Sequence, residues 1–404
     1  MKLNGLILAL TVLLSGVSTQ VAAQNEPGLS SDKIRIGMFA PLSGPSMAFG
    51  FDTTNAAKMY YDKINREGGI HGRKIEVVLE DDRCNANDLV AAVKKLVEQD
   101  KVFLLHGGSC SGATVAAKEY VERSKIPFLM LNASGDGILY PPSPYIFGGF
   151  IITQHAVGGS IISFASNLLK AKKIAYINHD DAYGAWNFEA AQFMAKQTPG
   201  VEVNVQSVNA SITDVTALML KIKASNPDVL VITTYARPLT LILKKAHEMG
   251  FNKPIVLAIN GISDLKQLVE NVGSKDAFKN VYIQEVLADV PGSPKMQWVY
   301  DLYKKSYPEL AAKPGHPQPF MPQGIPSAMA IVNALKATGP NLTREKFIRE
   351  VEKLKFDSGV TAGPTEFGPG DHAGHEEAIY FKFDGTNYTR IPGNYSSLWK
   401  YDSK

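Results

Sequence analysis

The stretch Lys33-Ile-Arg-Ile-Gly-Met-Phe-Ala40, followed by Pro41-Leu-Ser-Gly-Pro-Ser-Met-Ala-Phe-Gly50 and then by residues 52–65, carries the pattern that decides the fold. Its first eight residues read as a strand. The next ten are small, polar and punctuated by Gly and Pro, and 52–65 shows the spacing of a helix that stops at Glu67-Gly68-Gly69, where glycine can turn left-handed. Working outward, the same unit recurs. Strands are predicted at 74–80, 102–105, 127–131, 173–178, 201–205, 228–233, 254–258 and 282–286, with helices at 87–98, 113–123, 156–169, 188–196, 215–224 and 239–249. Alternation of this kind implies an α/β protein whose parallel sheets are covered by helices on both faces, and more than eight such units exceed one sheet. Beyond residue 286 the pattern becomes helical at 296–307, 327–337 and 344–354. It then turns Gly/Pro-rich at 363–374 and closes with two antiparallel strands, 378–383 and 388–391, joined by Asp384-Gly385. A boundary is expected near 145–154, after Pro141-Pro142-Ser143-Pro144.

The chain has 404 residues, 45% hydrophobic and 20% charged, with a net charge of +3. This length holds two or three domains with real cores, and the charge balance supplies no strong field for nucleic acid or an anionic membrane surface. Lys2, the apolar run 6–14 and Val21-Ala22-Ala23 read as a cleaved secretory signal over residues 1–23. The run is too short to span a bilayer, and an exported protein is expected. Both cysteines, Cys84 and Cys110, fall in the exported part, where an even count favours one disulfide.

Ligands of open parallel sheets bind at the carboxyl ends of the strands, so the residues just after each strand are the informative ones. They include Gly107-Gly108-Ser109-Cys110-Ser111-Gly112 and Asn132-Ala133-Ser134-Gly135, both leading into helices whose free N–H groups and neighbouring hydroxyls can hold a carboxylate. For any one serine, capping is the plainer role; three small-polar loops at one edge point to a ligand. Phe49, Tyr183 and Tyr235 take equivalent places and suit a flat or apolar ligand, and Arg237 could pair with a carboxylate or simply face solvent. A catalytic alternative exists at Gly108-Ser109-Cys110-Ser111-Gly112. Its spacing is that of a nucleophile elbow, with His155, His179 and His247 as candidate bases, and a disulfide would consume its thiol. Asp371-His372-Ala373-Gly374-His375-Glu376 lacks the spacing of a helical zinc site and reads as a turn. With no phosphate-binding glycine motif after any strand, neither metal nor cofactor is expected.

Taken together, Ile34 to Pro45, Ile64 to Lys74, Glu80-Asp-Asp-Arg-Cys84, Gly107 to Thr114, Asp228 to Tyr235 and Asp371 to Gly374 resemble the exported substrate-binding proteins of ABC importers. The resemblance is to the branch that binds branched-chain amino acids. It implies the type I periplasmic binding fold: two α/β lobes joined by three crossovers, closing on a ligand about a hinge. Lobe one would take 31–153 and 287–361, and lobe two 154–286 and 362–404. The resemblance also implies that Ser109, Cys110, Ser111, Asn132, Ala133 and Ser134 grip the ligand carboxylate, that Phe49 lines its pocket, and that Tyr183 and Tyr235 close over it. It pairs Cys84 with Cys110, and suggests a monomer served by a membrane permease.

One departure shapes the expected ligand. Amino acid binders of this branch carry an acid after the strand that here ends at Ala258, whereas this chain reads Ile259-Asn260-Gly261. A buried ammonium left unpaired is costly, so a carboxylate without an amine fits better. The family includes binders of benzoates and hydroxycinnamates, and the three aromatic residues suit a ring, with Tyr235, Arg237 and Asn260 at its distal end. A small aromatic acid is therefore the expected ligand, the alternatives being a branched-chain amino acid or amide in the same fold and, more distantly, a secreted Cys hydrolase.

Overall fold

The computed structural model describes residues 26–44, 46–133, 136–150, 152–209, 211–258, 265–289, 293–318, 320–399 and 401. The expected signal at 1–23, together with Ser134 and Asn260, lies outside them. In chain order the first lobe begins with β1 (Lys33–Ala40), α1 (Met47–Arg66), β2 (Lys74–Asp81), α2 (Ala86–Glu98), β3 (Leu104–Gly107), α3 (Ser111–Val115), α4 (Lys118–Ser124), β4 (Phe128–Met130), α5 (Asp136–Leu139) and β5 (Ile146–Phe147). The second lobe contains α6 (Gln154–Asn167), β6 (Lys173–His179), α7 (Ala182–Gln197), β7 (Glu202–Val208), α8 (Thr216–Ala224), β8 (Val229–Thr233), α9 (Ala236–Glu248), β9 (Ile255–Leu257), α10 (Leu265–Val272) and β10 (Val281–Glu285). The chain then returns through α11 (Gln297–Ser306), α12 (Pro308–Ala311), α13 (Gly324–Thr338) and α14 (Arg344–Val351), and ends in β11 (Lys355–Phe356), β12 (Thr365–Gly368), β13 (Asp371–Gly374), β14 (Glu377–Phe383), β15 (Tyr388–Arg390) and β16 (Tyr395–Ser396).

β1 is buried along most of its length because it sits between β2 and β3 in the parallel sheet β2-β1-β3-β4-β5, in register Ile36 with Val77 and Leu104. Helix α2 covers that sheet with Leu89, Ala92, Val93 and Leu96, and its start is held by Asn85, whose side chain accepts the Asn87 and Asp88 N–H groups. Helix α1 ends where Gly69, at φ +81, sends its N–H back to the Ile64 carbonyl at 2.9 Å. The second sheet runs β15-β14-β10-β9-β8-β6-β7 and is parallel from β7 to β10. The C-terminal hairpin extends it antiparallel, with Val281 opposite Phe383.

Two expectations differ from the structure. The single helix predicted at 113–123 is two short ones, α3 and α4, with the chain bending at Ala116 and Ala117. The Gly/Pro-rich segment, assigned to lobe two from residue 362, instead forms the small sheet β11-β12-β13 against lobe one. There the Gly148 N–H donates to the His372 carbonyl at 2.7 Å, and the His372 ring stacks on Phe147 at 4.0 Å. Lobe two takes the chain up again at β14. The chain thus makes three crossings between the lobes, between β5 and α6, between β10 and α11 and between β13 and β14. A continuous apolar cluster passes beneath them, from Tyr176 and Val231 through Phe150 and Val286 to Val299 and Ile325.

Candidate ligand-binding cleft

Ligands of open parallel sheets bind beyond the carboxyl ends of the strands, so the residues there, on both lobes, are the candidate walls of a binding cleft. On lobe one the chain leaves β3 through Gly108, whose φ of +78 suits a residue without a Cβ. The Gly108 carbonyl accepts the N–H groups of Asn132 at 3.3 Å and Ala133 at 3.0 Å, which ties the loop after β4 to the loop after β3. Ser109 is 9% exposed and its Oγ has no hydrogen-bond partner among the described residues. A buried hydroxyl in that state costs about 1–3 kcal/mol, a cost that a bound acceptor would remove. Cys110 stands at the N-terminal cap position of α3 and Ser111 opens it; at five residues, α3 carries little helix dipole.

The Asn132 side chain joins these loops to a third element. Its Nδ2 donates both to the Phe49 carbonyl and to Gln323 Oε1, each at 3.0 Å, while its Oδ1 is buried without a partner among the described residues. Phe49, in the first turn of α1, is 41% exposed and packs on Phe320 with ring centroids 4.9 Å apart. Phe320 and Gln323 went unread in the sequence because they follow no strand; they lie between α12 and α13.

On lobe two, Tyr183 stands in the first turn of α7 and its ring stacks on Tyr235 at 5.3 Å. The Tyr235 hydroxyl donates to Asp181 Oδ2 at 2.9 Å. Burial first, and for Tyr235 also the bond to Asp181, pushes both phenols well above their usual pKa, so each keeps its proton at neutral pH. Buried Tyr183 Oη and His179 Nδ1 lack partners among the described residues, and the His179 ring meets Tyr235 edge-on at 4.3 Å. His179, weighed in the sequence only as a base, belongs with this aromatic group at the end of β6. Arg237 is exposed on α9. The 259–261 stretch, on which the absence of an ammonium partner was argued, lies outside the described residues.

Cys84 and Cys110 form a disulfide with Cα atoms 5.5 Å apart, so the thiolate that an elbow nucleophile requires is absent. His155 is engaged elsewhere. Its Nδ1 lies 3.0 Å from Asp136 of lobe one, its Nε2 lies 3.2 Å from Glu189, and its ring stacks on Trp399 at 3.6 Å. Beside it Tyr401 stacks on Tyr140 at 5.0 Å, so the C-terminal segment lies across the junction between the lobes. His372 bonds to the Ile146 carbonyl and Glu352, and burial lowers the His375 pKa to about 4. Among the described residues no group of three His, Cys, Asp or Glu side chains is placed to hold a metal ion, and no helix is long and apolar enough to cross a membrane.

Residues 33–387 match the profile of the periplasmic binding protein family. A Leu/Ile/Val-binding protein homolog of Brucella abortus is 25% identical over 289 residues, 69% of this chain and 72% of its own. An amino acid binding protein of Pseudomonas aeruginosa is 31% identical over 226 residues, 55% of this chain and 57% of its own. Among solved structures, a branched-chain amino acid transporter substrate-binding protein from Streptococcus pneumoniae, in complex with isoleucine, superposes with a TM-score of 0.68 at 25% identity, over 89% of this chain and 99% of that one. An ABC-transporter solute-binding protein from R. palustris, in complex with 4-hydroxybenzoate, gives 0.71 at 20% identity, over 92% and 99%. That second likeness is one of fold.

Proposed function

The chain belongs to the periplasmic binding protein family, the substrate-binding components of ABC transporters, and from that premise we propose that it carries a small aromatic carboxylate to its permease. After removal of residues 1–23 the protein works as a periplasmic monomer whose lobes close on the ligand. The observations that support the ligand class are two aromatic pairs, Phe49 with Phe320 on lobe one and Tyr183 with Tyr235 on lobe two, together with the Ser109 hydroxyl, which is buried without a partner among the described residues. The rings enclose a flat ligand, and the Ser109 hydroxyl with the loop at Asn132 and Ala133 meets its carboxylate. Tyr235 and Arg237 would face its distal end. The protein binds and releases its cargo unchanged.

A second reading is a branched-chain amino acid. It is supported by the related proteins described as Leu/Ile/Val-binding, and by Asp181, whose carboxylate beside Tyr235 offers an ammonium a partner. A thermal-shift screen of the mature protein against benzoate, hydroxybenzoates, hydroxycinnamates, leucine and isoleucine separates the two. A ligand at 100 times its dissociation constant adds about 2.7 kcal/mol. A shift with the aromatic acids alone is expected; a shift with leucine or isoleucine alone would replace the aromatic ligand with an amino acid.

A further inference from the structure

Asp52 lies three residues after Phe49 in α1, within reach of the same helix face, yet it points into the protein and is fully buried. Its carboxyl group accepts three hydrogen bonds: from the Tyr303 hydroxyl at 2.5 Å, from His316 Nδ1 at 2.7 Å and from the Gln318 N–H at 2.8 Å. These donors come from α11 and from the connection that precedes α13. Burial, followed by the bond to Asp52, holds the Tyr303 phenol above its usual pKa, so it remains a donor. A buried carboxylate of this kind contributes little net stability compared with an apolar residue, and its best-attested use is to select one arrangement.

The arrangement selected here ends at the cleft. The Gln318 carbonyl accepts the Met321 N–H at 3.0 Å, and the Phe320 carbonyl accepts the Gln323 N–H at 3.1 Å. Thr53, next to Asp52, donates its hydroxyl to the same Phe320 carbonyl at 3.0 Å. Phe320 then packs on Phe49, and Gln323 Oε1 accepts from Asn132. We infer that Asp52 is a positioning residue for ligand binding: it pins the connection between α12 and α13 so that Phe320 and Gln323 complete the lobe-one wall. This rests on the proposal that Phe49 and the Asn132 loop meet the ligand. It explains why two residues that follow no strand belong to the site.

The test combines Asp52→Asn, Phe320→Ala and the double variant in the full mature protein. Hydrogen exchange without ligand is the first readout. Asp52→Asn should speed exchange at the Met321 and Gln323 amides by at least about tenfold, with the amides of β1 and β3 unchanged, as expected for a local opening. Binding of 4-hydroxybenzoate by calorimetry is the second, with leucine used in its place if wild-type protein binds leucine instead. Each single variant should weaken binding about tenfold, and the double variant no more than the worse single, because both act through one element. Unchanged exchange at Met321 and Gln323, or additive losses in the double variant, would overturn the inference. If Asp52→Asn does not fold, Tyr303→Phe removes one donor at nearly constant volume and should show the same pattern at smaller size. Failure of aromatic acids to bind refutes the proposed ligand and leaves the exchange result to decide the role of Asp52.

Discussion

Replacing Ser109 with alanine should move stability and affinity in opposite directions. In the ligand-free protein the Ser109 hydroxyl is buried and bonded to nothing among the described residues. Its removal therefore relieves a desolvation cost of about 1–3 kcal/mol while losing no bond, and the net change should be a gain of about 0–1 kcal/mol. At about 2.1 cal/mol/K of unfolding entropy per residue, a chain of this size shifts its thermal midpoint by roughly 1 °C per kcal/mol, so an unchanged or slightly raised midpoint is expected. If, as proposed, the hydroxyl donates to a ligand carboxylate, a charge-assisted bond of about 1.5–3 kcal/mol is lost and affinity should fall about 10- to 150-fold. Differential scanning calorimetry without ligand and isothermal titration with 4-hydroxybenzoate measure the two effects on one preparation. A destabilised variant with unchanged affinity would refute the reasoning, because Ser109 would then be satisfied within the protein.

Reducing the Cys84–Cys110 bond, which closes a loop 26 residues apart in sequence, should cost roughly 3.5 kcal/mol in urea unfolding, and thiol titration of the denatured, unreduced protein should find no reactive group. Trp399→Ala, which strips the stacked indole from His155, should destabilise by about 3 kcal/mol; a loss below about 1 kcal/mol would show that the C-terminal segment does not hold the lobe junction. Burial raises the Asp82 pKa to about 6, so the folded state binds this proton more tightly than the unfolded chain. Stability from this group is greatest below pH 4 and is lost as pH rises from 4 to 6, by on the order of 2 kcal/mol. Asp82→Asn should flatten that part of the stability profile, and an unaltered slope would count against the shift.

Much of the fold was legible because burial and periodicity agree along the chain. β1 falls on residues 33–40 as predicted, since both of its neighbours in the sheet keep it apolar. The C-terminal hairpin was visible in Asp384-Gly385, where Asp384 Oδ1 accepts the Thr386 and Asn387 N–H groups and Gly385 has φ +90. The break between α3 and α4 has no Gly or Pro to announce it. β12 and β13 were hidden by the glycines at 368, 370 and 374, which lower strand propensity and are outweighed here by packing of Phe367 and His372 on Phe147. At the cleft, the loops after β3 and β4 could be read because strand ends locate them. Phe320 and Gln323 could not, because their place is set by Asp52 and Thr53 more than 260 residues away, through contacts that no local pattern encodes.

The proposed cleft should take an aromatic carboxylate. Isothermal titration of the refolded, ligand-stripped mature protein with 4-hydroxybenzoate, repeated in excess leucine, tests it most directly. Saturable one-to-one binding that leucine leaves unchanged is predicted. Saturable binding of leucine that 4-hydroxybenzoate neither matches nor displaces would contradict the claim.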